Sequence, residues 1–265
     1  MKIYLASFNR ASNGALSKLV QRLKEENMWT YSSMDADYIL AVGDRTETFD
    51  FVLQEFRKGK PIIHLWAGET TQGAKEWSIE DEVYRHSMSF MSVMQLCTNH
   101  DARLIVMNLF ASVGKTPNVH TVGNVMYDNL EVDESLVPTI NFDLILYNPP
   151  TLLSPEEIKE EIKDILSLSS HNRIWIEPNG DKNSDLLSEY VTHKTIARPN
   201  FLGLMKHCKK FITNSSCAYY EAPFVMDIKN VVHIGERNMI RNSKTDMNIP
   251  DATENIIKIL RGIKK

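Results

Sequence analysis

Short apolar runs alternate with stretches of helical spacing along almost all of this 265-residue chain, and no other feature limits its fold as strongly. Residues 38–42 and 61–65 are predicted as buried strands, and residues 49–58 between them as a helix. Strands that alternate with helices pair in parallel, because each helix carries the chain back across the sheet. The pattern therefore predicts an α/β fold built from doubly wound parallel sheets.

The second half of the chain repeats the alternation. Residues 142–147 are predicted as a strand that stops before Pro149, and Ser154 is a suitable N-cap for the helix that follows. An acidic, proline-containing stretch at 131–141 separates the two halves. We expect a ligand-binding cleft between two domains, as is usual for such folds. The predicted parts are two domains and a closing amphipathic helix, at residues 1–135, 136–250 and 251–265.

The composition excludes several classes of protein. The net charge of −4 provides no global basic field for nucleic acid, so that only a local groove could bind it. No apolar run approaches the roughly 18 residues that span a bilayer, and the N-terminus has the pattern of a short strand and not of a signal peptide. We therefore expect a cytoplasmic protein that does not enter a membrane.

Neither the cysteines nor the histidines have the spacing of a metal site. Cys97, Cys208 and Cys217 are far apart in the chain and odd in number, which disfavours a disulfide framework as well as a zinc site. The histidines show no HExxH type of spacing. We expect no metal, no cofactor and a reducing compartment.

One stretch of small polar residues has the pattern of a phosphate site. Asn214, Ser215 and Ser216 follow a predicted strand at 210–213 and open the next helix, where free backbone N–H groups can bind an anion. Glu221 lies one to two turns further on, where its carboxylate could accept from both hydroxyls of a ribose. Ordinary N-capping by serine is the alternative interpretation of this stretch.

Arginines near strand ends are further candidates for phosphate binding. Arg10 follows the first predicted strand, and Arg237 and Arg241 follow the strand that ends near Gly235. A guanidinium at such a position can clamp a phosphate through two hydrogen bonds. A solvated surface arginine is the alternative for each of them.

Three carboxylates are candidates for acid–base chemistry. Asp44 and Glu69 follow successive predicted strands, and Asp81 begins a helix. Acids at neighbouring strand ends converge on one edge of a parallel sheet, where they could act as general acid and base. The alternatives are a helix cap for Asp44 and an i,i+4 ion pair between Asp81 and Arg85.

Several short segments occur in the order that they have in a known family, and together they are specific although each alone is weak. They are Val42-Gly43-Asp44-Arg45, residues 64–73, residues 81–86, Val122-Gly123 with Asp128, residues 178–181, Asn214-Ser215-Ser216 with Glu221-Ala222-Pro223, and residues 234–237 with Arg241. The chain resembles the hydrolysing UDP-N-acetylglucosamine 2-epimerases, in particular their sialic-acid-pathway branch. Arg10-Ala11 and Gly14 also match the family's N-terminal arginine loop.

The resemblance implies two Rossmann-like domains of the GT-B type, a UDP-sugar in the interdomain cleft and a C-terminal helix that crosses back to the first domain. It implies that Asp44, Glu69 and Asp81 are the acid–base carboxylates. It further implies that Glu221 contacts the ribose of the nucleotide and that four other residues contact its phosphates. The phosphate contacts are Arg10, Asn214, Ser215 and Ser216, with Arg241 as a further substrate-binding residue.

Two departures from the family leave the reaction open. The stretch between Arg10 and Asp44 is much shorter than in the family, so that one or two βα units of the first domain are missing. Asn148 stands where the family has a histidine, and an asparagine cannot exchange a proton near neutral pH. Hydrolysing 2-epimerisation of UDP-GlcNAc is our first hypothesis.

Two alternatives remain beside the epimerase hypothesis. One is a GT-B glycosyltransferase with a UDP-sugar donor, and under this alternative alone the partner could be nucleic acid, such as a modified base of viral DNA. The other is a silent nucleotide-sugar-binding module. Family members are often dimers, so that a homodimer is possible.

Overall fold

The structure is a computed structural model, and it describes most of the chain: residues 1–8, 14–70, 80–150, 153–178, 180, 182–194, 196–235, 238 and 249–263. These residues form two compact units. The first contains the described residues up to Asn129 together with 249–263, and the second begins at Leu130. The first unit thus ends at Asn129, against the predicted 135.

The first unit is a parallel five-stranded sheet in the order β1-β2-β3-β4-β5, with helices on both faces. Its strands are β1 Ile3–Ala6, β2 Tyr38–Val42, β3 Ile62–Leu65, β4 Met94–Cys97 and β5 Val119–Thr121. Its helices are α1 Ser17–Glu25, α2 Thr46–Arg57, α3 Glu80–Met91, α4 His100–Ala111 and, near the C-terminus, α9 Ala252–Arg261.

Both faces of this sheet pack against an apolar core, because successive side chains of each strand point to opposite faces. Leu40 of β2 packs in a cluster with residues of α1 and α9, such as Leu19 and Ile256. Its neighbour Ile39 packs on the other face with Val52 of α2. Successive residues of a strand point to opposite faces, so that a nearly continuous apolar run is needed where both faces are covered. The predicted doubly wound α/β class is confirmed.

The strand order reverses at β1. The backbone N–H of Ile3 donates to Met28 O at 2.6 Å and its carbonyl accepts from Thr30 N at 3.0 Å, which makes a one-residue parallel bridge between Ile3 and Trp29. This bridge lies on the side of β1 that faces away from β2, because the residues on either side of Ile3 pair with β2. In open α/β sheets, ligands bind outside the carboxyl ends of the strands at such a reversal.

The second unit is a four-stranded parallel sheet in the order β7-β6-β8-β9, and its order reverses at β6. Its strands are β6 Asp143–Leu146, β7 Arg173–Trp175, β8 Lys210–Thr213 and β9 Val231–His233. Its helices are α5 Pro155–Leu168, α6 Arg198–His207, α7 Cys217–Tyr220 and α8 Ala222–Val225. Helix α5 begins with the predicted cap, since the Ser154 hydroxyl accepts from Glu157 N and the Glu157 carboxylate accepts from Ser154 N.

Two predicted elements differ from the structure. Residues 81–94 have helical spacing in the sequence, but α3 ends at Met91 and Met94 begins β4, whose apolar run is interrupted by Gln95. Residues 184–193 also have the spacing of a helix, but only the 3-10 turn Ser184–Leu187 forms, because Thr192 N–H donates to the carbonyl of Trp175 and His193 bridges to Ile176 beside β7. Within the described ranges, no helix is long and apolar enough to cross a membrane.

Candidate active site

The carboxyl end of β2 presents Asp44 directly after Gly43. Gly43 has a φ of +73°, a left-handed conformation that glycine adopts without strain. Helix α2 begins just beyond, but in the described residues its N-cap is Arg45 and no side chain caps it. The helix-cap interpretation of Asp44 is therefore wrong. The Asp44 carboxylate instead forms an ion pair with Nη2 of Arg85 on α3.

Arg85 is the centre of this site, and its side chain is only 1% exposed. Nη1 donates to the backbone carbonyl of Glu69 at 2.8 Å and to Oε1 of Glu82 at 3.0 Å. One guanidinium thus holds together the end of β2, the loop after β3 and the first turn of α3. A planar fork of donors is suited to several acceptors at once, as a lysine ammonium is not.

The loop after β3 turns sharply to present Glu69. Trp66 and Gly68 both have left-handed φ values, +66° and +76°, and such a conformation is strained for a bulky residue such as tryptophan. A Cβ on Gly68 would lie 2.0 Å from the carbonyl oxygen of Ala102, so that only glycine fits against α4 there. The strained turn is thus the one that positions Glu69, a predicted site residue.

The carboxylate of Glu69 accepts a hydrogen bond from the Thr98 hydroxyl. Thr98 follows β4, and its Oγ1 in turn accepts from Nδ2 of Asn99 at 3.0 Å. Sequence analysis did not single out either residue, although each is a polar side chain at a strand end. Glu69 is therefore held through its carbonyl by Arg85 and through its carboxylate by Thr98.

Asp81 lies in the first turn of α3 and is half-buried. The next residue, Glu82, accepts from Arg85 and lies 3.3 Å from Nε2 of His86. The structure thus brings Asp44 and Glu69 to the same arginine, and it places Asp81 next to a carboxylate that contacts this arginine. Carboxylates from three chain segments around one buried cation can take or deliver protons at neighbouring positions.

His64 of β3 supports this site from inside the sheet. Its Nε2 lies 2.8 Å from the carbonyl oxygen of Gly43, and its Nδ1 lies 2.9 Å from the hydroxyl of Ser89 on α3. Because a carbonyl only accepts, Nε2 carries the proton. Burial lowers the pKa of His64 to about 4, so that the ring is neutral at pH 7. The position of His64 inside a predicted buried strand was the feature of the sequence that indicated this supporting role.

In the second unit, Asn214 at the end of β8 fastens the loop that follows β6. Its Oδ1 accepts from the backbone N–H of Asn148 at 2.8 Å, and its Nδ2 donates to the carbonyl of Asn148 at 2.7 Å. The two bonds hold the backbone at Asn148, the residue for which the resemblance implies a histidine in the family. A phosphate contact by Asn214 stays a prediction.

Ser215 and Ser216 lead into a helix of one turn. The Ser215 hydroxyl accepts from Cys217 N at 3.4 Å, a weak local cap, and Ser216 is the N-cap residue of α7, where the described residues show no side-chain cap. The capping interpretation therefore applies in part to Ser215 and not to the side chain of Ser216. A phosphate-binding role of both hydroxyls stays a prediction.

Glu221 lies between the short helices α7 and α8, and its side chain is 8% exposed. Oε1 accepts from Nε of Arg198, at the start of α6, at 2.6 Å. Burial raises the pKa of Glu221, and the Arg198 charge acts against that rise. Sequence analysis did not identify Arg198, because the two residues are distant in the chain.

A second carboxylate of this unit lies close to the ends of β6 and β9. The Tyr147 hydroxyl donates to Oε2 of Glu161 on α5, while a Cβ on Gly235 would lie 2.2 Å from Oε1. Burial raises the pKa of Glu161. The Glu161 carboxylate thus lies between the residue that follows β6, Tyr147, and the glycine that follows β9, Gly235.

Arg10, Arg237 and Arg241 lie outside the described residues, so that their predicted phosphate contacts stay predictions. Among the residues that are described, no group of three or more His, Cys, Asp or Glu side chains could hold a metal ion. The three cysteines are buried and free.

The sequence matches a family model described as UDP-N-acetylglucosamine 2-epimerase over residues 2–265. It is 26% identical over 230 residues to the GDP/UDP-N,N′-diacetylbacillosamine 2-epimerase (hydrolyzing) of Campylobacter jejuni, with 78% of this chain and 58% of the relative covered. It is 28% identical over 226 residues to the UDP-N-acetylglucosamine 2-epimerase of Neisseria meningitidis, with 77% and 55% covered. The chain thus spans a little over half the length of these relatives.

Solved structures show the same architecture. The UDP-GlcNAc 2-epimerase of Neisseria meningitidis bound to UDP-GlcNAc superposes with a TM-score of 0.69 at 15% identity, over 99% of this chain and 100% of that one. The Staphylococcus aureus MnaA–UDP co-structure superposes with a TM-score of 0.59 at 16% identity, over 97% and 81%. The predicted class, Rossmann-like units of a GT-B type fold, is confirmed.

Proposed function

The chain belongs to the UDP-N-acetylglucosamine 2-epimerase family, and we propose that it acts on a UDP-sugar as a hydrolysing 2-epimerase. The reaction converts UDP-GlcNAc and water to ManNAc and UDP. The observation that carries the proposal is the arrangement around Arg85, which joins Asp44 to the loop of Glu69 and to the first turn of α3, where Asp81 lies. The segments that indicated this family in the sequence include all three carboxylates.

The chemistry needs a set of carboxylates such as this one. In the first step, a carboxylate removes the proton from C2 while the C1–O bond breaks, so that UDP leaves with the bonding electrons and a 2-acetamidoglucal remains. In the second step, another carboxylate takes a proton from water as the water oxygen bonds to C1, and a third group, a protonated carboxyl, delivers a proton to C2 on the opposite face. We assign these roles to Asp44, Glu69 and Asp81 without ordering them.

The second unit holds the nucleotide in this proposal. Ser215 and Ser216 at the start of α7 contact the diphosphate, and Glu221 accepts from the ribose. Arg10 and Arg241 meet the charge that develops on the diphosphate as it leaves. Asn214 positions the loop of Asn148, since both groups of its amide bind that backbone. UDP binding is supported by the bound nucleotides of two structures of the same fold.

Asn148 stands where the resemblance implies a histidine, and we therefore expect a slow or altered reaction unless another group takes over the role of that histidine. An asparagine donates and accepts hydrogen bonds but does not exchange a proton near neutral pH. The substrate class also has two candidates among the relatives, because one is named for UDP-GlcNAc and the other for a diacetylbacillosamine nucleotide.

Product analysis tests the proposed function. The purified protein is incubated with UDP-GlcNAc, and in parallel with UDP-N,N′-diacetylbacillosamine, and the released UDP and free sugar are measured by NMR. We expect UDP and the 2-epimeric free sugar in equal amounts without any acceptor, and neither product with Asp44→Asn. UDP release that requires an added acceptor would support glycosyl transfer instead, and UDP binding without turnover would support a binding module.

A further inference from the structure

The ion pair between Arg198 and Glu221 joins two residues that are far apart in the second unit's sequence and nearly enclosed in its structure. Their side chains are 11% and 8% exposed, and Nε of Arg198 donates to Oε1 of Glu221 at 2.6 Å. Arg198 is the first residue of α6, and Glu221 interrupts the helical turns α7 and α8. The contact therefore connects the start of one helix with the break between two others.

A carboxylate in this position needs a partner to keep its charge. Burial favours the neutral acid, and the neighbouring guanidinium favours the ionised form and binds it through a charge-assisted hydrogen bond. Arg198 contacts one oxygen of the carboxylate. Within the part of the chain that the structure describes, Oε2 of Glu221 accepts no hydrogen bond. A carboxylate that is held by one oxygen presents the other in a defined direction.

We propose that Arg198 is a positioning residue for nucleotide recognition, which holds the Glu221 side chain oriented so that its second carboxylate oxygen accepts from the ribose hydroxyls of the ligand. This inference rests on the proposed function, because it takes Glu221 as the ribose contact. It predicts that the ligand is a ribonucleotide, and that discrimination against deoxyribose depends on a residue that does not touch the sugar.

Without Arg198, the Glu221 carboxylate would lose this orientation. It would be free to rotate, and a buried carboxyl that takes up a proton accepts hydrogen bonds less strongly than the carboxylate does. A direct contact of Arg198 with a phosphate is the competing explanation. It makes a different prediction, since the diphosphate is the same in ribo- and deoxyribonucleotides.

Calorimetric titration with UDP and with 2′-deoxy-UDP tests the inference. The full chain should bind UDP more tightly than 2′-deoxy-UDP by about tenfold, the effect of one hydrogen bond to a charged group. In Arg198→Ala this ratio should fall close to one, while the affinity for 2′-deoxy-UDP stays within about twofold of that of the unchanged chain. Arg198→Lys, which retains the charge but not the guanidinium geometry, should keep part of the ratio.

Two further variants make the test specific. Lys206→Ala removes an exposed ion pair of α6, the contact with Glu134 at 2.8 Å, and should leave both affinities unchanged. Glu221→Gln should reduce the ratio by itself, and adding Arg198→Ala to it should cause no further loss. This double variant also removes the unpaired buried charge, so that it reports on Arg198 even if Arg198→Ala alone does not fold.

The outcomes separate this inference from the proposed function. If the unchanged chain does not bind UDP, the proposed function fails first and the inference with it. If the chain binds UDP tenfold better than 2′-deoxy-UDP and Arg198→Ala keeps that ratio, or loses affinity for both ligands equally, the inference alone is overturned. An equal affinity of the unchanged chain for both ligands would overturn it as well, because Glu221 would then not contact the 2′-hydroxyl.

Discussion

Arg85 forms an ion pair with Asp44, and the buried guanidinium connects α3 to the carboxyl end of β2. Removing Arg85 would leave the carboxylates of Asp44 and Glu82 without their cation in a largely buried site. We therefore predict that Arg85→Ala lowers the free energy of unfolding by about 3 kcal/mol. Arg85→Lys restores part of this stability but no turnover, because an ammonium cannot reproduce the fork.

Urea unfolding measures the stability effect of Arg85→Ala. Lys163→Ala is the control, since Lys163 forms an exposed ion pair with Glu160 at 2.6 Å, and such pairs contribute little. Its unfolding midpoint should match that of the unchanged chain. Equal unfolding midpoints for the unchanged chain, Arg85→Ala and Lys163→Ala would contradict the stabilising role of Arg85.

Asp44→Asn should separate catalysis from binding. The amide keeps the size of the side chain but cannot take a proton, so that we expect turnover of UDP-GlcNAc to fall by about a hundredfold or more. The affinity for UDP should not change, because Asp44 is not among the residues assigned to contact the nucleotide. Steady-state rates and calorimetry measure the two effects, and Glu47→Gln, an exposed acid in the first turn of α2, is the control. Full activity of Asp44→Asn would remove this residue from the mechanism.

His64 should make the stability depend on pH. Its pKa in the folded chain is about 4, against an ordinary value of 6.5. Between these values the unfolded chain binds the proton more readily, so that the stabilisation is complete above pH 6.5 and is lost as the pH falls to 4. We expect this group to account for a loss of about 3 kcal/mol across that window.

The measurement is urea unfolding at several pH values for the unchanged chain and for His64→Gln. The variant should be less stable at pH 7 and should lose less stability on acidification. His171→Gln, which changes an exposed histidine of the second unit, should keep the original pH dependence. If the free energy of unfolding depended on pH equally in His64→Gln and in the unchanged chain, His64 would not be a buried neutral group.

Asn148→His tests whether the missing histidine limits the reaction. Asn214 binds the backbone of residue 148, so that a new side chain there leaves these two hydrogen bonds in place. A histidine can exchange a proton near neutral pH, and we expect turnover to rise by about tenfold or more. Kinetic assays beside Asn172→His, which adds a histidine at an exposed position of the same unit, measure the gain. No gain would mean that another group already does this work.

Much of the fold could be predicted from local patterns. The apolar runs identified most strands, including Tyr38–Val42 and Lys210–Thr213, because strands covered on both faces are almost continuously apolar. The carboxylates Asp44 and Glu69 could be identified because each follows a strand closely. β4 was missed, since the polar Gln95 interrupts the apolar run of Met94–Cys97 and the run directly follows a stretch of helical spacing.

The contacts that organise the site could not be predicted, because they join distant segments. Local spacing suggested an ion pair of Arg85 with Asp81, but it gave no indication that Arg85 would contact Asp44 at the end of β2. Arg198 and Thr98 carry no motif, and only the fold brings them to Glu221 and Glu69. Sequence patterns thus identified the acids and not the groups that hold them.

Exchange of solvent deuterium into the sugar tests the proposed reaction most directly. The chain is incubated with UDP-GlcNAc in deuterated water, and the released sugar is examined by NMR and mass spectrometry. Removal and return of the C2 proton predicts UDP together with ManNAc that carries deuterium at C2, and Asp44→Asn should yield neither. Released sugar that retains its original proton at C2, or GlcNAc as the only sugar formed, would contradict the epimerase mechanism.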